Sequence, residues 1–139
     1  MTIQITPTRD IATCRHLRRV VFIEEQGVPE ADEIDDKDDA AIHLLATDAG
    51  RPVGSARLLL LGQTGKIGRV CVLPSHRGTG LGAALIRAAL VELRAQGMTI
   101  AKLGSQTHAI GFYERLGFTP AGPEYMDAGI PHRDMTLPL

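Results

Sequence analysis

The chain is poor in cysteine, in aromatic residues and in net charge. Its 139 residues include two cysteines, no tryptophan and 4% aromatic residues, and its formal net charge is −1. Two cysteines, Cys14 and Cys71, cannot build a disulfide framework. A balanced charge with few aromatic rings offers neither a phosphate-attracting field nor stacking platforms, so nucleic acid is not an expected partner. The ligand is expected to be small or peptidic.

Long apolar runs and targeting segments are also missing. Runs such as 58–61 are far shorter than the ~20 residues that cross a bilayer. The start, 1–5, has neither the basic region nor the apolar core of a signal peptide. The five histidines and two cysteines lack metal-ligand spacing, so no metal site is expected. These absences predict a cytoplasmic protein without a membrane partner, and the length suits a single domain over residues 1–139.

The most informative stretch is a basic, glycine-rich loop between a strand-like run and a helix-like run. After the apolar residues 70–73 it reads Pro74-Ser75-His76-Arg77-Gly78-Thr79-Gly80-Leu81-Gly82. Its three glycines remove the Cβ atoms that would keep a ligand away from the backbone. A helix beginning near Leu81 offers unpaired N–H groups and the positive end of its dipole, and Arg77 adds a forked counter-charge. The pattern predicts a pyrophosphate-binding loop.

Two other phosphate-binding patterns fit this loop poorly. A Walker-type loop requires Gly-x-x-x-x-Gly-Lys-Ser/Thr, and the one Gly-Lys pair, at 65–66, lacks both the first glycine and the hydroxyl residue. A dinucleotide fingerprint starting at Gly78 would need an acidic residue about twenty positions on, where 99–102 contain none. The pattern that fits is Arg/Gln-x-x-Gly-x-Gly/Ala after a strand, filled by Arg77, Gly80 and Gly82.

With this loop the chain resembles the GNAT superfamily of acetyl-coenzyme A-dependent N-acetyltransferases. A second segment, 107–118, carries the aromatic-tyrosine pair Phe112-Tyr113 shortly before Gly117-Phe118, as the same superfamily does. Two further stretches are similar to its ElaA-like subgroup of small bacterial proteins: Arg18-x-x-Val21-Phe22-x-x-Glu25-Gln26-Gly27-Val28-Pro29 and Gly129-Ile130-Pro131-His132-x-x-Met135. The resemblance therefore covers nearly the whole chain.

The resemblance implies an α/β (α+β) GNAT fold. Its single mixed, mostly antiparallel sheet would have six to seven strands, with helices on both faces and a splay at the cofactor cleft between the strands at Val70 and Ile100. Local patterns predict strands at 3–5, 42–46, 52–61, up to 73, 100–103, 118–121 and 133–137, and helices from Asp10 to Gly27, 80–96 and 108–116. The segment between the first helix and the second strand is predicted to be an acidic loop.

The resemblance also implies acetyl-CoA as co-substrate and assigns residues to it. The loop residues expected to bind pyrophosphate are Arg77, Gly78, Thr79, Gly80, Leu81 and Gly82. The backbone of the preceding strand would pair with the pantetheine arm as an added strand would, through Val70, Cys71 and Val72. His108 stands where many members carry an asparagine that touches the cofactor. The alternative for His108 is that it caps its helix.

Tyr113 is the candidate general acid. A phenol with a reference pKa of ~10 can protonate a leaving thiolate whose thiol has a pKa near ~8.5. On a helix, Phe112 and Leu116 would face the core, which leaves Tyr113 on an adjacent edge able to point into the cleft. The alternative is a half-buried ring that packs without a proton role.

The general base cannot be carried over from the family. An amine with a pKa of ~10.4 is neutral about once in 10³ molecules at pH 7, so a base or a desolvating site is needed. Many GNAT enzymes use a glutamate on the strand before the loop, but 66–72 contains no carboxylate. The substitutes are Glu25, His43 and His132, acting directly or through water, and each has a structural alternative. We expect their contributions to be dispersed, with no single residue dominant.

The acidic segment 24–39 has two interpretations. It holds nine acids against one base, Lys37. Such a run is usually a solvated, mobile surface, and the alternative is an acceptor-binding rim that attracts a cationic amine. The nine acids are Glu24, Glu25, Glu30, Asp32, Glu33, Asp35, Asp36, Asp38 and Asp39.

These observations predict an acetyltransferase that uses a small-molecule or peptidic amine as acceptor. Direct attack by the amine is expected rather than a ping-pong route through Cys71, because a mid-strand cysteine is better explained as a small core residue. The rival from another class is a coenzyme A-binding regulatory or interaction module that has lost turnover. The acceptor and the oligomeric state, a homodimer included, are left open.

Overall fold

Seven strands form one mixed sheet in the computed structural model, which describes all 139 residues. The strands are β1 (Ile3–Thr8), β2 (Ile42–Asp48), β3 (Arg51–Leu61), β4 (Thr64–Val72), β5 (Ile100–Gln106), β6 (Thr119–Asp127) and β7 (Ile130–Pro138). Their order across the sheet is β1-β2-β3-β4-β5-β7-β6, and every neighbouring pair is antiparallel except β4 and β5. The predicted mixed, mostly antiparallel sheet is confirmed.

Four α-helices and several short helical turns connect these strands. The α-helices are α1 (Ile11–Arg18), α2 (Glu30–Glu33), α3 (Leu81–Ala95) and α4 (Ile110–Arg115). A π-helical turn (Arg19–Glu25) continues α1, and 3-10 turns span Asp38–Ala40, Pro74–His76 and Thr107–Ala109. The Asp10 side chain caps α1 by accepting a hydrogen bond from Thr13 N at 3.2 Å. None of the helices is long and apolar enough to span a membrane.

Helices cover both faces of the sheet. Consecutive residues of β2 point to opposite faces: Leu44 belongs to the main core and Leu45 packs against the smaller one. The main core contains the apolar face of α3, including Leu85, Ile86, Ala89 and Leu93, all fully buried. The smaller core is formed by Leu17, Val21 and Cys71, so α1 and its π-helical turn cover the other face.

The sheet splays between β4 and β5. These two strands pair only at their first residues, 64–66 with 100–102, whereas β5 pairs with β7 over its whole length. The second half of β4 therefore has an unpaired edge that faces an opening, as expected. A bulge opposite Ala56 bends the same half of β4, and Arg69 there adopts a left-handed backbone with φ 51°.

The structure corrects several predicted boundaries. Strands β6 and β7 are much longer than the predicted 118–121 and 133–137. Two prolines and Gly122 obscured β6, but β6 is an edge strand with a register shift between Pro120 and Glu124, where a missing N–H can be tolerated. The predicted acidic loop contains the short helix α2, and the segment from 107 begins as a 3-10 turn before α4.

Candidate active site

The glycine-rich loop ends in a helix N-terminus without a side-chain cap. Gly80 precedes α3 in a left-handed conformation, φ 85°, and no side chain bonds to the first amides of the helix. The first main-chain bond inside it runs from Ala84 N to Gly80 O at 3.0 Å, so the N–H groups of 81–83 have no intrahelical acceptor. A Cβ at Gly78 or Gly80 would meet no protein atom within 4 Å. These features fit a bound pyrophosphate.

Arg77 and Glu25 are paired at this loop. Both terminal nitrogens of Arg77 bind the two carboxylate oxygens of Glu25, and Arg77 Nε donates to Val72 O at 3.1 Å. The hydrogen bonds from Arg77 lower the pKa of Glu25, so Glu25 is held as an ion-paired carboxylate. Glu25 does not line the cavity of the cleft. The geometry therefore does not favour Glu25 as the base.

A cavity of about 330 Å³ occupies the splay between β4 and β5. Its walls come from β4, β5, α4, the β6–β7 hairpin and the stretch from the π-helical turn through α2. Three of the predicted site residues line it: Val70, Tyr113 and His132. Asp32 and Glu33 of the acidic segment also line it, as an acceptor-binding rim would. The other polar residues of the lining were not predicted for the cleft: Gln26, Lys66, Arg69, Gln106, Tyr125 and Asp127.

Tyr113 presents a free phenol to this cavity. Its ring packs edge-on against Phe112 and Phe118, with centroids 5.0 Å and 6.0 Å apart, and its hydroxyl has no protein hydrogen-bond partner. Burial raises the pKa of Tyr113, so the phenol keeps its proton at neutral pH. A protonated, unpartnered phenol in the cleft can donate to a leaving group.

His132 lies in the same cavity with one ring nitrogen free. Its Nδ1 is 2.7 Å from Ile130 O, a contact in which Nδ1–H must donate because a carbonyl can only accept. That bond leaves Nε2 as the acceptor nitrogen of the neutral ring. The ring stacks on Tyr125, with centroids 5.9 Å apart. His132 is therefore oriented as a proton acceptor.

His43 and His108 lie outside the cavity. His43 is buried, and its Nε2 is 2.9 Å from Asp38 O, which ties it to the acidic segment instead of the cleft. His108 is exposed, with its Nε2 2.7 Å from Gln106 Oε1. No side chain caps α4, so the helix-capping alternative for His108 is wrong.

Cys71 is a core residue. Its side chain belongs to the smaller core below α1, and burial raises the pKa of the thiol to about 12. A thiol in that state is almost entirely protonated at neutral pH and is a poor nucleophile. The backbone of Cys71 still lies in β4 between Val70 and Val72, on the strand whose second half has the unpaired edge.

Arginines of α1 and β3 bind the acidic segment. Asp38 is at its centre: it accepts hydrogen bonds from Arg15 at 2.9 Å, from Arg18 at 2.8 and 3.0 Å, and from Arg57 at 3.1 Å. Although burial opposes ionisation of Asp38, these bonds hold its pKa well below the usual range. Glu33, 4% exposed, accepts from Arg18 at 2.5 Å.

For three of its acids, Glu33, Asp35 and Asp38, this ion-pair network corrects the interpretation of the segment as a solvated surface. Arg57 binds Asp35 through two bonds of 2.8 and 2.9 Å, and this contact lowers the pKa of Asp35 to about 2. Three acids of the segment are therefore structural. A count of acids in the sequence could not reveal these pairings, because the arginines that make them lie on α1 and β3.

Comparison with known proteins identifies the family. Residues 21–139 match the acetyltransferase (GNAT) domain family. A protein of Bacillus subtilis (strain 168) is 43% identical over 136 residues, which cover 96% of this chain and 92% of that protein. The crystal structure of Escherichia coli ElaA has a TM-score of 0.87 and 28% identity, and the match covers 98% of this chain and 99% of that chain.

A second solved structure has the same fold. An acyl-CoA N-acyltransferase from Pseudomonas aeruginosa has a TM-score of 0.89 and 30% identity, with coverage of 98% of this chain and 99% of that chain. The family match, the overall identity and the shared fold confirm the resemblance that the glycine loop and the aromatic-tyrosine segment indicated. The chain belongs to the GNAT acetyltransferase family.

Proposed function

We propose that this chain moves an acetyl group from acetyl-CoA to a primary amine by direct transfer. The observation that carries the proposal is the splay of the sheet: the phenol of Tyr113 lines the cavity in the splay, and the strand with the unpaired edge, β4, runs on into the loop before an uncapped helix N-terminus. N-acetylation with acetyl-CoA is the general reaction of the family to which the chain belongs.

Cofactor binding is assigned to the loop and to β4. The amides of 77–82 would hold the pyrophosphate, with Arg77 as counter-charge, and the backbone of 70–72 would pair with the pantetheine arm. His108, exposed in the 3-10 turn after β5, is the remaining residue assigned to the cofactor. Acetyl-CoA supplies an activated thioester, and the protein supplies orientation and proton transfer.

The transfer needs two proton movements. The amine nitrogen attacks the thioester carbonyl carbon, the carbon–sulfur bond breaks, and the amine loses a proton. Tyr113 donates its phenolic proton to the departing thiolate. His132 Nε2 accepts the proton of the amine. This nitrogen is free because Nδ1 is the ring atom that bonds to Ile130 O. The buried Cys71 thiol, with its raised pKa, takes no part.

Steady-state thiol release from acetyl-CoA, measured with a panel of primary amines, tests this function. Amine-dependent thiol release together with an acetylated amine in the mass spectrum is the expected result. Calorimetric binding of coenzyme A is measured in parallel. Tight binding without turnover by any amine would instead support the regulatory module, which the lack of a carboxylate on β4 favours. The absence of both binding and turnover would overturn the assignment of the cleft.

A further inference from the structure

Arg69 is the one arginine in the wall of the cavity, and its guanidinium is incompletely paired. Its Nη2 is bonded to Glu33 O at 3.1 Å and, more weakly, to Asp32 O and Asp35 Oδ2, both at 3.4 Å. Its Nε is buried without a hydrogen-bond partner, and the nearest carboxylate oxygen, Glu33 Oε1, is 3.7 Å away. Three of its five N–H donors are therefore unused by the protein.

The unused donors of Nη1 are accessible. Nη1 makes no hydrogen bond and is not among the buried unpartnered atoms of the chain, and the Arg69 side chain is 25% exposed. The left-handed backbone of Arg69 at the bulge of β4 aims this side chain, and for a residue other than glycine that conformation carries strain. A strained backbone that directs a partly unpaired guanidinium into a cleft is typical of a binding position.

The charges around the cavity are of both signs. On β4, Lys66 also lines the cavity and makes no ion pair. Two carboxylates in the lining, those of Asp32 and Asp127, have no cationic partner either, and Asp127 is on the same hairpin as His132. The remaining acid, Glu33, is neutralised by Arg18. The cavity therefore offers positive charge on one wall and negative charge elsewhere.

This distribution does not suit a purely cationic acceptor. Most acids of the acidic segment already have a partner in the protein, since arginines elsewhere in the chain bind Glu25, Glu30, Glu33, Asp35 and Asp38. A polyamine would be attracted to Asp32 and Asp127 but repelled by Lys66 and Arg69. A molecule that carries both an amine and a carboxylate would satisfy both sets of charges.

We infer that the acceptor is a small amine bearing a carboxylate, as in an α-amino acid, and that Arg69 binds the carboxylate. This inference rests on the proposed acetyl transfer and adds the acceptor's chemical class. The carboxylate would accept charge-assisted hydrogen bonds from Nη1. The nitrogen end would then lie toward the hairpin that carries Asp127 and His132. The ammonium loses its first proton to solvent to become the neutral nucleophile, and the proton released on attack passes to the free Nε2.

The test compares ligands that differ only in the carboxylate. L-amino acids, their carboxamides and their decarboxylated amines are titrated by calorimetry into the protein saturated with coenzyme A, and thiol release is measured with acetyl-CoA. We expect at least one amino acid to bind about tenfold or more tightly than its carboxamide, with the same preference in kcat/KM, because a hydrogen bond between charged groups is lost in the amide. Spermidine is included as the purely cationic alternative.

The variant Arg69→Gln should abolish this preference while leaving coenzyme A affinity unchanged. Arg87→Gln, on the exposed face of α3, is the control for loss of one positive charge. If Arg69→Gln fails to fold, Arg69→Lys is used instead. It keeps the positive charge but has no planar guanidinium to bind a carboxylate through two hydrogen bonds, so it should lose most of the preference for amino acids over their carboxamides. The comparison of amino acids with their carboxamides on the wild-type protein tests the acceptor class even if neither variant folds.

Each outcome decides the inference. A preference for amides, amines or spermidine over the amino acids, or no carboxylate-dependent binding, overturns the inference. A preference that persists in folded Arg69→Gln overturns the role of Arg69. Failure of the proposed acetyl transfer can be told apart from failure of this inference. It would appear as no thiol release with any amine, whereas the calorimetric titrations would still report whether a carboxylate-bearing amine binds.

Discussion

Arg77 and Glu25, separated by 52 positions in the chain, form a two-point ion pair beside the glycine-rich loop. The sequence predicted Arg77 as the counter-charge of the pyrophosphate and offered Glu25 as one of three candidate bases, with no link between the two residues. Their pairing means that a pyrophosphate on the loop would share Arg77 with a carboxylate. The pair is exposed, with side chains 43% and 39% accessible, so the bond can break at little cost.

Glu25→Gln should therefore change cofactor affinity and not the chemical step. Removal of the carboxylate frees the guanidinium of Arg77 and removes a negative charge near the pyrophosphate, so we expect coenzyme A to bind several-fold more tightly. The rate constant kcat should stay within a few-fold of wild type. Calorimetry and steady-state kinetics measure the two effects. A large loss of kcat with unchanged affinity would restore Glu25 as the base.

Gly80→Val should weaken coenzyme A binding strongly, because its Cβ branch would occupy the space in front of the loop amides. The substitution also strains the backbone, since φ is 85° at this position. Gly50→Val is a matched control: φ is 84°, no protein atom would lie within 4 Å of the new Cβ, and Gly50 is in the β2–β3 turn away from the cleft. Both variants should lose similar thermal stability, and only Gly80→Val should lose affinity. Equal affinity in the two folded variants would remove the loop from the binding site.

Tyr113→Phe keeps the ring contacts and removes the proton. If the phenol is the general acid, kcat should fall by ~10²-fold or more, since general acid catalysis contributes 10²–10⁴. Coenzyme A affinity and melting temperature should change little, because the hydroxyl makes no hydrogen bond in the protein. Single-turnover kinetics of thiol release is the measurement. A wild-type rate would assign Tyr113 to packing.

The sequence predicted the parts of the site that depend on local pattern. The glycine loop, the helix after it and Tyr113 are contained in short motifs, because their function requires particular residues at fixed spacing. The position of Arg69 in the cavity wall was not predictable, since it depends on a bulge in β4 and on contacts that leave part of its guanidinium unpaired. The acidic segment was misjudged for the same reason: whether Asp38 is solvated or buried is decided by Arg18 and Arg57, which are distant in sequence.

The ion-pair network should make stability depend on acidic pH. Asp35 has a pKa of about 2 in the folded protein against an ordinary value of 3.8, and that of Asp38 is also well below normal. A lowered folded-state pKa gives stability that is present above the ordinary value and is lost as pH falls toward the folded value. The free energy of unfolding should therefore decrease between about pH 4 and pH 2.

Asp38→Asn tests the centre of this network. It leaves buried arginine charge without its partner, and we expect a loss of about 3–5 kcal/mol at pH 7 and a flatter dependence between pH 4 and 2. Asp39→Asn changes an exposed neighbour that makes no ion pair, and it should stay close to wild type. Urea denaturation at several pH values gives both quantities. Equal stability of the two variants would show that the network contributes nothing.

The base is the last open role, and the three candidates should respond unequally. The sequence alone predicted dispersed, modest effects for Glu25, His43 and His132. Of the three, His132 is the one in the cavity, with Nδ1–H bonded to Ile130 O and Nε2 free. We therefore expect His132→Gln to lower kcat/KM by ~10²-fold or more, whereas Glu25→Gln should retain kcat and His43→Gln should lose mainly stability.

Chemical rescue separates a proton role of His132 from a structural one. His132→Ala removes the ring and leaves space beside Tyr125, on which the imidazole stacks. If Nε2 accepts the amine proton, added imidazole should restore part of the lost rate in proportion to its concentration, without changing the melting temperature. Acetamide, which has similar size but no comparable basicity, should not restore it. The contrary result would be an equal, modest loss of kcat/KM in all three Gln variants, with no rescue of His132→Ala by imidazole. It would show that no single residue is the base and that water and a desolvated amine account for the proton transfer.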